Sequence, residues 1–280
     1  MRMELSNMMN WLLRLTSRKR SKMNKEATTL NQTVPQLLKE SRYRITTFFG
    51  ELELKSNPLG SGGNAFVYEV ISPISAAIKI LAEDIKTKRS KKFERFLEEY
   101  RKLVVHSHHP GIVRLYHYEQ IALGDSLFPV ILMEKCDQNL KTWKKQAETD
   151  GRITLDFMQK WIRSFCETLK YIHNIGIVHR DIKPENILIR SNGAFILADF
   201  GIAWFDPEIH KIDLTTGKER LANFQFSAPE QVPGSSYLEP TAATDIFALG
   251  QLVYWMLTDT TIKGINPPSC LLYTSDAADE

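Results

Sequence analysis

Residues 179–186 read His179-Arg180-Asp181-Ile182-Lys183-Pro184-Glu185-Asn186. In this stretch Asp181 can accept a hydrogen bond from an attacking hydroxyl, and Lys183 can neutralise charge on a phosphoryl group in transit. Asn186 offers a carbonyl oxygen to a magnesium ion, a hard cation that prefers oxygen ligands. Catalysis of phosphoryl transfer rests on positioning and on the management of phosphate charge. The stretch therefore holds groups that suit this chemistry.

A glycine-rich stretch lies upstream and reads Leu59-Gly60-Ser61-Gly62-Gly63-Asn64-Ala65-Phe66-Val67. Glycines let the backbone N–H groups of a tight hairpin approach phosphates without Cβ clashes. Alone it is a weak signal, and a plain hairpin turn explains it equally well. Ala76-Ala77-Ile78-Lys79 follows, and a lysine in an apolar strand is, in isolation, more often an edge charge that faces solvent.

Three further motifs follow in order: Asp199-Phe200-Gly201 after an apolar segment, then Ala228-Pro229-Glu230, then Asp245–Gly250. Each alone fits a turn or a helix start. Together with the two upstream stretches they resemble the eukaryotic-type protein kinase family, whose motifs are G-x-G-x-x-G-x-V, V-A-I-K, H-R-D-L-x-x-x-N, D-F-G and A-P-E. The resemblance covers residues from about Phe48 to Thr261 and implies a braced catalytic loop, with Asp245 holding its backbone.

The resemblance implies an ATP- and Mg²⁺-dependent serine/threonine protein kinase, with Asp181 as the base and Lys183 beside the phosphoryl group. Lys79 is expected to contact the α- and β-phosphates and to pair with Glu99. Arg95-Phe96-Leu97-Glu98-Glu99 resembles the family's R-F-x-x-E, which favours Glu99 and leaves Glu98 as a solvated charge. Asn186 and Asp199 are the implied magnesium ligands.

The implied nucleotide contacts come from the glycine loop, the neighbouring strands, the gatekeeper position and the hinge. They are Leu59, Gly60, Ser61, Gly62, Gly63, Val67, Ala77, Lys79, Met133, Glu134, Cys136 and Leu188. Thr215 and Thr216 are candidate acceptors of an activating phosphate, and Asn223 stands where serine/threonine kinases place a threonine. A pseudokinase that acts as a scaffold and a small-molecule kinase are the alternatives. The A-P-E motif favours a protein substrate.

Composition and charge bear on the partners of the protein and on its cellular compartment. The net charge of +3 over 280 residues is too small to indicate nucleic-acid binding. Three cysteines, an odd number, favour a reducing compartment over a disulfide framework, so we expect a cytoplasmic protein. No apolar run approaches the roughly 20 residues that span a bilayer, and we expect no membrane segment within this chain.

The order of the elements predicts an α+β fold with two lobes. Strand patterns at Phe66–Ile71, Ala76–Leu81, Ile112–Tyr118 and Pro129–Met133, with a helix at Phe93–Val105, predict a small antiparallel-sheet lobe over residues 48–134. A mostly helical large lobe is predicted for residues 135–269, including helices at Leu155–Ile175 and Ile246–Leu257. Residues 1–47 are basic and are expected to be a disordered leader, with a membrane-surface helix at Leu5–Leu15 as an alternative.

The C-terminal segment differs in character from the rest of the chain. Residues 270–280, Cys270 to Glu280, resemble a translated reading frame of a transposon adapter used in sequencing libraries. We therefore expect the native sequence to end near Ser269 and the large lobe to be incomplete. On this view Glu230 lacks its ionic partner, and because an unpaired buried carboxylate is costly we expect poor folding and little activity of this chain.

Overall fold

The computed structural model of the chain describes residues 34–62, 64–86, 90–206, 225–231 and 240–262. Five groups of predictions lie outside these ranges: Gly63, Thr215 with Thr216, Asn223, the leader up to residue 33, and the tail at 270–280. The chain divides into two compact units, here called the sheet unit (residues up to 96, with 115–135) and the helical unit (97–114, with residues from 136 onward). An antiparallel sheet and a set of helices confirm the predicted α+β class.

The sheet unit is built on an antiparallel sheet with strand order β1-β2-β4-β5-β7-β6, and β3 pairs with β4. Apolar side chains alternate along the strands, so one face of the sheet packs into the core, as for Tyr68 and Val70 on β4 and Ile78 and Ile80 on β5. The strands are β1 (Arg44–Thr47), β2 (Gly50–Leu54), β3 (Gly60–Ser61), β4 (Ala65–Ser72), β5 (Ala76–Leu81), β6 (Leu115–Leu123) and β7 (Ser126–Met133).

The predicted leader is wrong for residues 34–47. Residues 34–40 are helical (α1) and residues Arg44–Thr47 form β1. Val34 and Leu38, one helical turn apart, are fully buried in the core of the sheet unit. The apolar residues of α1 are few and follow a polar segment, so the sequence did not indicate a helix here. Burial against the sheet supplies the stability that a single short helix lacks.

Helix α2 (Lys91–Leu103) confirms the helix predicted at Phe93–Val105. The predicted lobe boundaries need two corrections. The boundary between the units crosses α2 after Phe96, and the sheet unit ends at Lys135, one residue later than expected. The strand predicted from Ile112 begins only at Leu115, because Ile112 forms an isolated parallel bridge with Leu197 of the helical unit.

The helical unit contains α3 (Leu140–Thr149), α4 (Leu155–Asn174) and α5 (Ala242–Thr258). Thr154 caps α4 by accepting a hydrogen bond from the Phe157 N–H at 3.2 Å, and the helix stops before Gly176, whose φ is +72°. This confirms the helix predicted at Leu155–Ile175. Short strands complete the unit: β8 (Gln138–Asn139), β9 (Ile177–Val178), β10 (Ile187–Ile189), β11 (Phe195–Leu197) and β12 (Trp204–Phe205).

Helix α5 confirms the helix predicted at Ile246–Leu257 but is not buried on all sides. Leu249, Leu252 and Met256 are buried, whereas Ile246 and Leu257 are exposed. The apolar residues of this segment lie on more than one helical face, so the pattern could not tell which face packs inward. Among the helices in the described ranges, none is long and apolar enough to cross a membrane.

Candidate active site

Three neighbouring strands place predicted nucleotide contacts in paired positions on one face of the sheet. Val67 of β4 pairs with Lys79 of β5, and Ala77 of β5 pairs with Met133 of β7. Because side chains alternate along a strand, the residues two apart lie on the same face, opposite to the buried Ile78 and its neighbours. β5 is flanked by β4 and β7, so the alternative of an edge charge for Lys79 is wrong.

In the glycine loop, Gly60 and Gly62 stand at positions where the fold itself does not need a glycine. The Leu59 N–H donates to the Val67 carbonyl at 2.7 Å, and the Gly62 N–H donates to the Ala65 carbonyl at 3.0 Å. A Cβ added at Gly60 would meet nothing within 4 Å, and one added at Gly62 would meet only the Ala65 carbonyl oxygen at 3.9 Å. The space beside these glycines is therefore open to a group that must approach the backbone closely.

Lys79 and Glu99 are both well defined within their own units. The half-buried Lys79 Nζ lies 5.8 Å from the centroid of the Phe96 ring. The buried Glu99 on α2 places its Oε2 3.4 Å from the point where a Cβ of Gly201 would stand, next to the Asp199-Phe200-Gly201 motif. The pairing of Lys79 with Glu99 joins residues of different units and stays a prediction.

Glu98 is not the solvated charge that was expected. It is only 5% exposed, and its carboxylate accepts a hydrogen bond from Arg101 and lies 3.7 Å from the Lys102 Nζ. Lys102 in turn lies 4.3 Å from the centroid of the buried Phe205 ring, and burial lowers its pKa despite the opposing effect of Glu98. Helix α2 therefore buries both Glu98 and Glu99, and Lys102 on the same helix lies against Phe205 of β12.

The catalytic-loop residues Asp181, Lys183 and Asn186 are in direct contact. Lys183 Nζ lies 2.6 Å from Asp181 Oδ2, and Asn186 Nδ2 donates to the same oxygen at 2.8 Å. Asn186 Nδ2 also donates to the Asp181 backbone carbonyl at 2.8 Å. A short 3₁₀ turn, Pro184–Asn186, brings Asn186 back over Asp181. The structure thus brings together the three residues that the sequence analysis selected from this stretch.

Burial shifts the pKa of two groups in this loop. Burial raises the pKa of Asp181 above the ordinary value of an aspartate, while Lys183 and His179 act in the opposite direction. Burial likewise lowers the pKa of His179, which is fully buried. His179 Nε2 lies 3.1 Å from the Ala198 carbonyl, and its Nδ1 accepts from the Asp181 N–H at 3.2 Å. These partners fit a neutral imidazole with its proton on Nε2.

Asp245, at the start of α5, holds the backbone of the catalytic loop, as the resemblance implied. It is fully buried and accepts hydrogen bonds from the N–H groups of His179 at 2.8 Å and Arg180 at 2.9 Å. Sequence analysis missed its third partner: His173 Nε2 on α4 lies 2.8 Å from Asp245 Oδ2. One carboxylate therefore ties α4, α5 and the catalytic loop together.

Asp199 and Asn186 have the donor chemistry that a magnesium ion requires. Both hydrogen bonds from the Asn186 side chain use Nδ2, which turns its carbonyl oxygen away from Asp181. Asp199 is exposed and has φ of +61°, a conformation uncommon outside glycine. The described ranges contain no group of three His, Cys, Asp or Glu that could hold a metal. Mg²⁺ is typically bound by one or two carboxylates together with substrate phosphates, and Asp199 carries one such carboxylate.

The remaining predicted contacts lie where the chain passes from β7 to β8 and on β10. Met133, Glu134 and Cys136 are each partly buried, and Leu188 on β10 pairs with Asn139 and Ile196. In this segment the sequence analysis missed an ionic anchor, here called the Glu69 bridge. Glu69 Oε1 lies 2.6 Å from Lys135 Nζ, and its Oε2 lies 3.1 Å from Lys55 Nζ. The sequence did carry a sign of this bridge, because Glu69 stands two residues after Val67 on β4 and therefore lies on the same face of the strand.

Glu230 is not left without a partner, contrary to the expectation from the sequence. The Thr244 hydroxyl donates to Glu230 Oε1 at 2.6 Å, and Glu230 is only partly buried. Thr244 stands next to Asp245 and reaches back because Thr241 and Thr244 form a capping box at the start of α5. Glu230 is therefore hydrogen-bonded and partly exposed, so the expectation of poor folding and little activity cannot be based on a buried, unpaired Glu230.

Comparisons with known proteins agree with these motifs. A profile of the protein kinase domain matches residues 54–266. Serine/threonine-protein kinase PknB of Mycolicibacterium smegmatis is 31% identical over 81% of this chain and 34% of its own length. The 3-phosphoinositide-dependent protein kinase 1 of Arabidopsis thaliana is 32% identical over 66% of this chain and 37% of its own. Serine/threonine-protein kinase PknD of Chlamydia pneumoniae is 29% identical over 71% and 23%. The chain spans roughly a quarter to just over a third of the length of these relatives.

Proposed function

Because this chain belongs to the protein kinase family, we propose that it transfers the γ-phosphate of ATP to serine or threonine hydroxyls of proteins. The observation that carries the proposal is the contact of Asp181 with Lys183 and Asn186 in a loop held by Asp245. Phosphoryl transfer depends on positioning and charge stabilisation rather than on covalent chemistry by the protein. A fixed carboxylate beside a fixed cation supplies both.

Asp181 is the proposed base. Its Oδ2 is held by Lys183 and Asn186, so the carboxylate has a defined direction in which to accept the proton of the attacking hydroxyl. Its pKa is raised and so lies closer to neutral pH than the pKa of an exposed aspartate, which suits a general base. Lys183 is proposed to stabilise negative charge on the phosphoryl group during transfer.

The sheet unit is proposed to hold the nucleotide. Gly60, Ser61 and Gly62 offer backbone N–H groups to the phosphates, and Gly63 is expected to contribute although it lies outside the described ranges. Ala77, Val67, Met133 and the backbone of Glu134 and Cys136 are the proposed adenine contacts, and Leu59 and Leu188 are proposed as further nucleotide contacts. Lys79 is proposed to bind the α- and β-phosphates and to pair with Glu99.

Mg²⁺ is the proposed cofactor, and Asn186 with Asp199 would hold it. When bound, the ion neutralises charge on the phosphates. Within the chain, Asn186 has a second task, since its amide nitrogen holds the Asp181 carboxylate. The A-P-E motif and the names of the relatives support a protein substrate. Free Cys136 and Cys166 and the need for ATP fit the cytoplasm as the place of action.

The test is transfer of label from γ-labelled ATP to a serine- and threonine-rich protein by the full 280-residue chain. We expect Mg²⁺-dependent incorporation by the unaltered chain and a loss on the order of 1000-fold for Asp181→Asn. Asp156→Asn is the matched control, because Asp156 is exposed and pairs only with the exposed Lys160.

The control variant should label the substrate as fast as the unaltered chain. Equal labelling by Asp181→Asn would reject the role given to Asp181. ATP binding without any transfer by the folded chain would favour the pseudokinase alternative, and ATP consumption only with an added metabolite would favour a small-molecule kinase.

A further inference from the structure

Gln231 is a buried side chain that the mechanism above does not use. It ends the 3₁₀ turn Pro229–Gln231 and is 7% exposed. Both ends of its amide are engaged: Nε2 donates to the Arg180 carbonyl at 2.8 Å, and Oε1 accepts from the Ala228 N–H at 3.1 Å. One side chain thus joins the turn to the catalytic loop, 51 residues away in sequence.

The catalytic loop needs such a support because Arg180 has an unfavourable backbone conformation. Its φ is +69°, in the left-handed region that only glycine adopts readily. Conformations of this kind persist only where the surroundings over-determine them. Here the Arg180 N–H donates to Asp245 and its carbonyl accepts from Gln231, so both polar groups of the residue are fixed by buried side chains.

The hydrogen bond from Gln231 holds the peptide group that leads into Asp181. The Arg180 carbonyl and the Asp181 N–H belong to one planar peptide group. A hydrogen bond that fixes the carbonyl oxygen therefore fixes the orientation of the whole peptide group that precedes the Asp181 Cα. The other side of the same plane is held by the Asp181 N–H, which donates to His179 Nδ1 at 3.2 Å. The orientation of this peptide helps to fix the position from which the Asp181 side chain extends, while Lys183 and Asn186 hold its carboxylate.

We propose that Gln231 is a positioning residue for the Asp181 carboxylate, acting through the Arg180–Asp181 peptide. The inference rests on the proposed function, because it assigns Gln231 a part in the same reaction. It also links residues 228–231, at the end of the A-P-E motif, to the geometry of the base. A displacement of this turn would reach Asp181 through a single side-chain amide.

The test compares Gln231→Glu with Gln251→Glu. The first variant is nearly isosteric, keeps an acceptor for the Ala228 N–H and places an oxygen against the Arg180 carbonyl. Gln251 is a matched control, since it is 4% exposed on α5 and its Oε1 accepts from the Ile262 N–H at 3.0 Å. Each variant therefore introduces one buried carboxylate and keeps one acceptor. Gln231→Asn, which is shorter and neutral, serves if the glutamate variant does not fold.

We expect Gln231→Glu to lower kcat on the order of 10- to 100-fold, with KM for ATP changed less than about twofold. Gln251→Glu should keep both constants while losing a similar amount of thermal stability. Unchanged kcat in the Gln231 variants, or an equal fall in Gln251→Glu, would overturn the inference.

A second readout does not depend on activity. Hydrogen exchange of the peptide that covers residues 179–183 should be at least about tenfold faster in Gln231→Glu than in the unaltered chain, and unchanged in Gln251→Glu. Unaltered exchange would overturn the inference by itself. Faster exchange in a chain that never transfers phosphate would uphold the link to Asp181 and reject the proposed function.

Discussion

The two units hold their candidate residues in different ways. In the sheet unit, Val67, Lys79, Ala77 and Met133 take their places from strand register, which is set by backbone hydrogen bonds and by alternation of side chains. In the helical unit the catalytic loop is irregular and is held by buried side chains from distant parts of the sequence. Single substitutions should therefore be tolerated better on the sheet than around the loop.

The largest effect is expected where the loop depends on one carboxylate. Asp245→Asn replaces an acceptor of three hydrogen bonds and leaves a buried backbone N–H without a partner, so the free energy of unfolding should fall by about 3 kcal/mol. Phosphate transfer should be lost. Urea unfolding followed by tryptophan fluorescence is suitable, because Trp143, Trp161, Trp204 and Trp255, the described tryptophans, all lie in the helical unit.

The control for this prediction is Asp156→Asn, which should change the free energy of unfolding by less than about 0.5 kcal/mol. A loss below about 1 kcal/mol for Asp245→Asn would mean that the loop does not depend on this carboxylate in the way that its hydrogen bonds indicate.

Removing the cation beside Asp181 should change both rate and pH dependence. We expect Lys183→Met to lower kcat on the order of 100-fold. Lys183 lowers the pKa of Asp181 against the raising effect of burial, so its loss should raise that pKa further. Because the base acts only when deprotonated, the acidic limb of the kcat profile should move to higher pH. An unmoved limb, or one moved to lower pH, would contradict this electrostatic role.

Sequence alone predicted most of the sheet unit because its signal is local. The apolar run Ala76–Leu81 predicted the strand that carries Lys79 but did not identify β5 as an interior strand, and the roles expected of Lys79 and the glycine loop came from the resemblance to the kinase family. The helical unit was less predictable, since Gln231 and His173 owe their roles to residues far away in sequence. Asp181, Lys183 and Asn186 were found through their motif, whereas their supports were not, apart from Asp245.

The wrong predictions for residues 34–40 and for Glu230 have the same physical origin. Residues 34–40 were assigned to a disordered leader, yet Val34 and Leu38 gain their burial from strands that lie later in the chain. Glu230 was expected to be unpaired, yet Thr244 reaches it from the capping box of α5. In both cases a tertiary contact supplied what local composition did not reveal.

The glycine loop offers a variant that should separate binding from stability. Gly60→Ala adds a Cβ that meets nothing within 4 Å in the protein, so stability should change by less than about 0.5 kcal/mol. A phosphate that approaches the backbone would meet the new methyl group, and we expect KM for ATP to rise on the order of tenfold.

Gly193→Ala should have the opposite effect to Gly60→Ala: it should lower stability without changing KM for ATP. Gly193 lies in an open turn of the helical unit with φ of +81°, so an alanine should cost about 1–2 kcal/mol of stability without changing KM for ATP. Equal KM values for Gly60→Ala and the unaltered chain would count against phosphate binding by this loop.

The smallest effect is expected at the Glu69 bridge. Glu69→Gln weakens two ionic contacts that are partly exposed, so KM for ATP should rise only about two- to fivefold as Lys135 loses its anchor. Lys135 and Lys55 lower the pKa of Glu69. Their stabilisation is therefore present above the unfolded pKa of a glutamate and is lost as pH falls through the folded pKa. Glu51→Gln, which breaks only the exposed pair with Arg44, should leave KM unchanged, and an equal rise in both variants would refute the role of the bridge.

The most direct test of the central claim is the identity of the amino acid that receives the phosphate. The full chain should be incubated with γ-labelled ATP, Mg²⁺ and a protein substrate, and the labelled residues identified after hydrolysis, beside Asp181→Asn. We predict label on serine and threonine with the unaltered chain and almost none with the variant. Label on tyrosine alone, or equal labelling by the variant, would contradict the assignment of this chain as a serine/threonine kinase that uses Asp181 as its base.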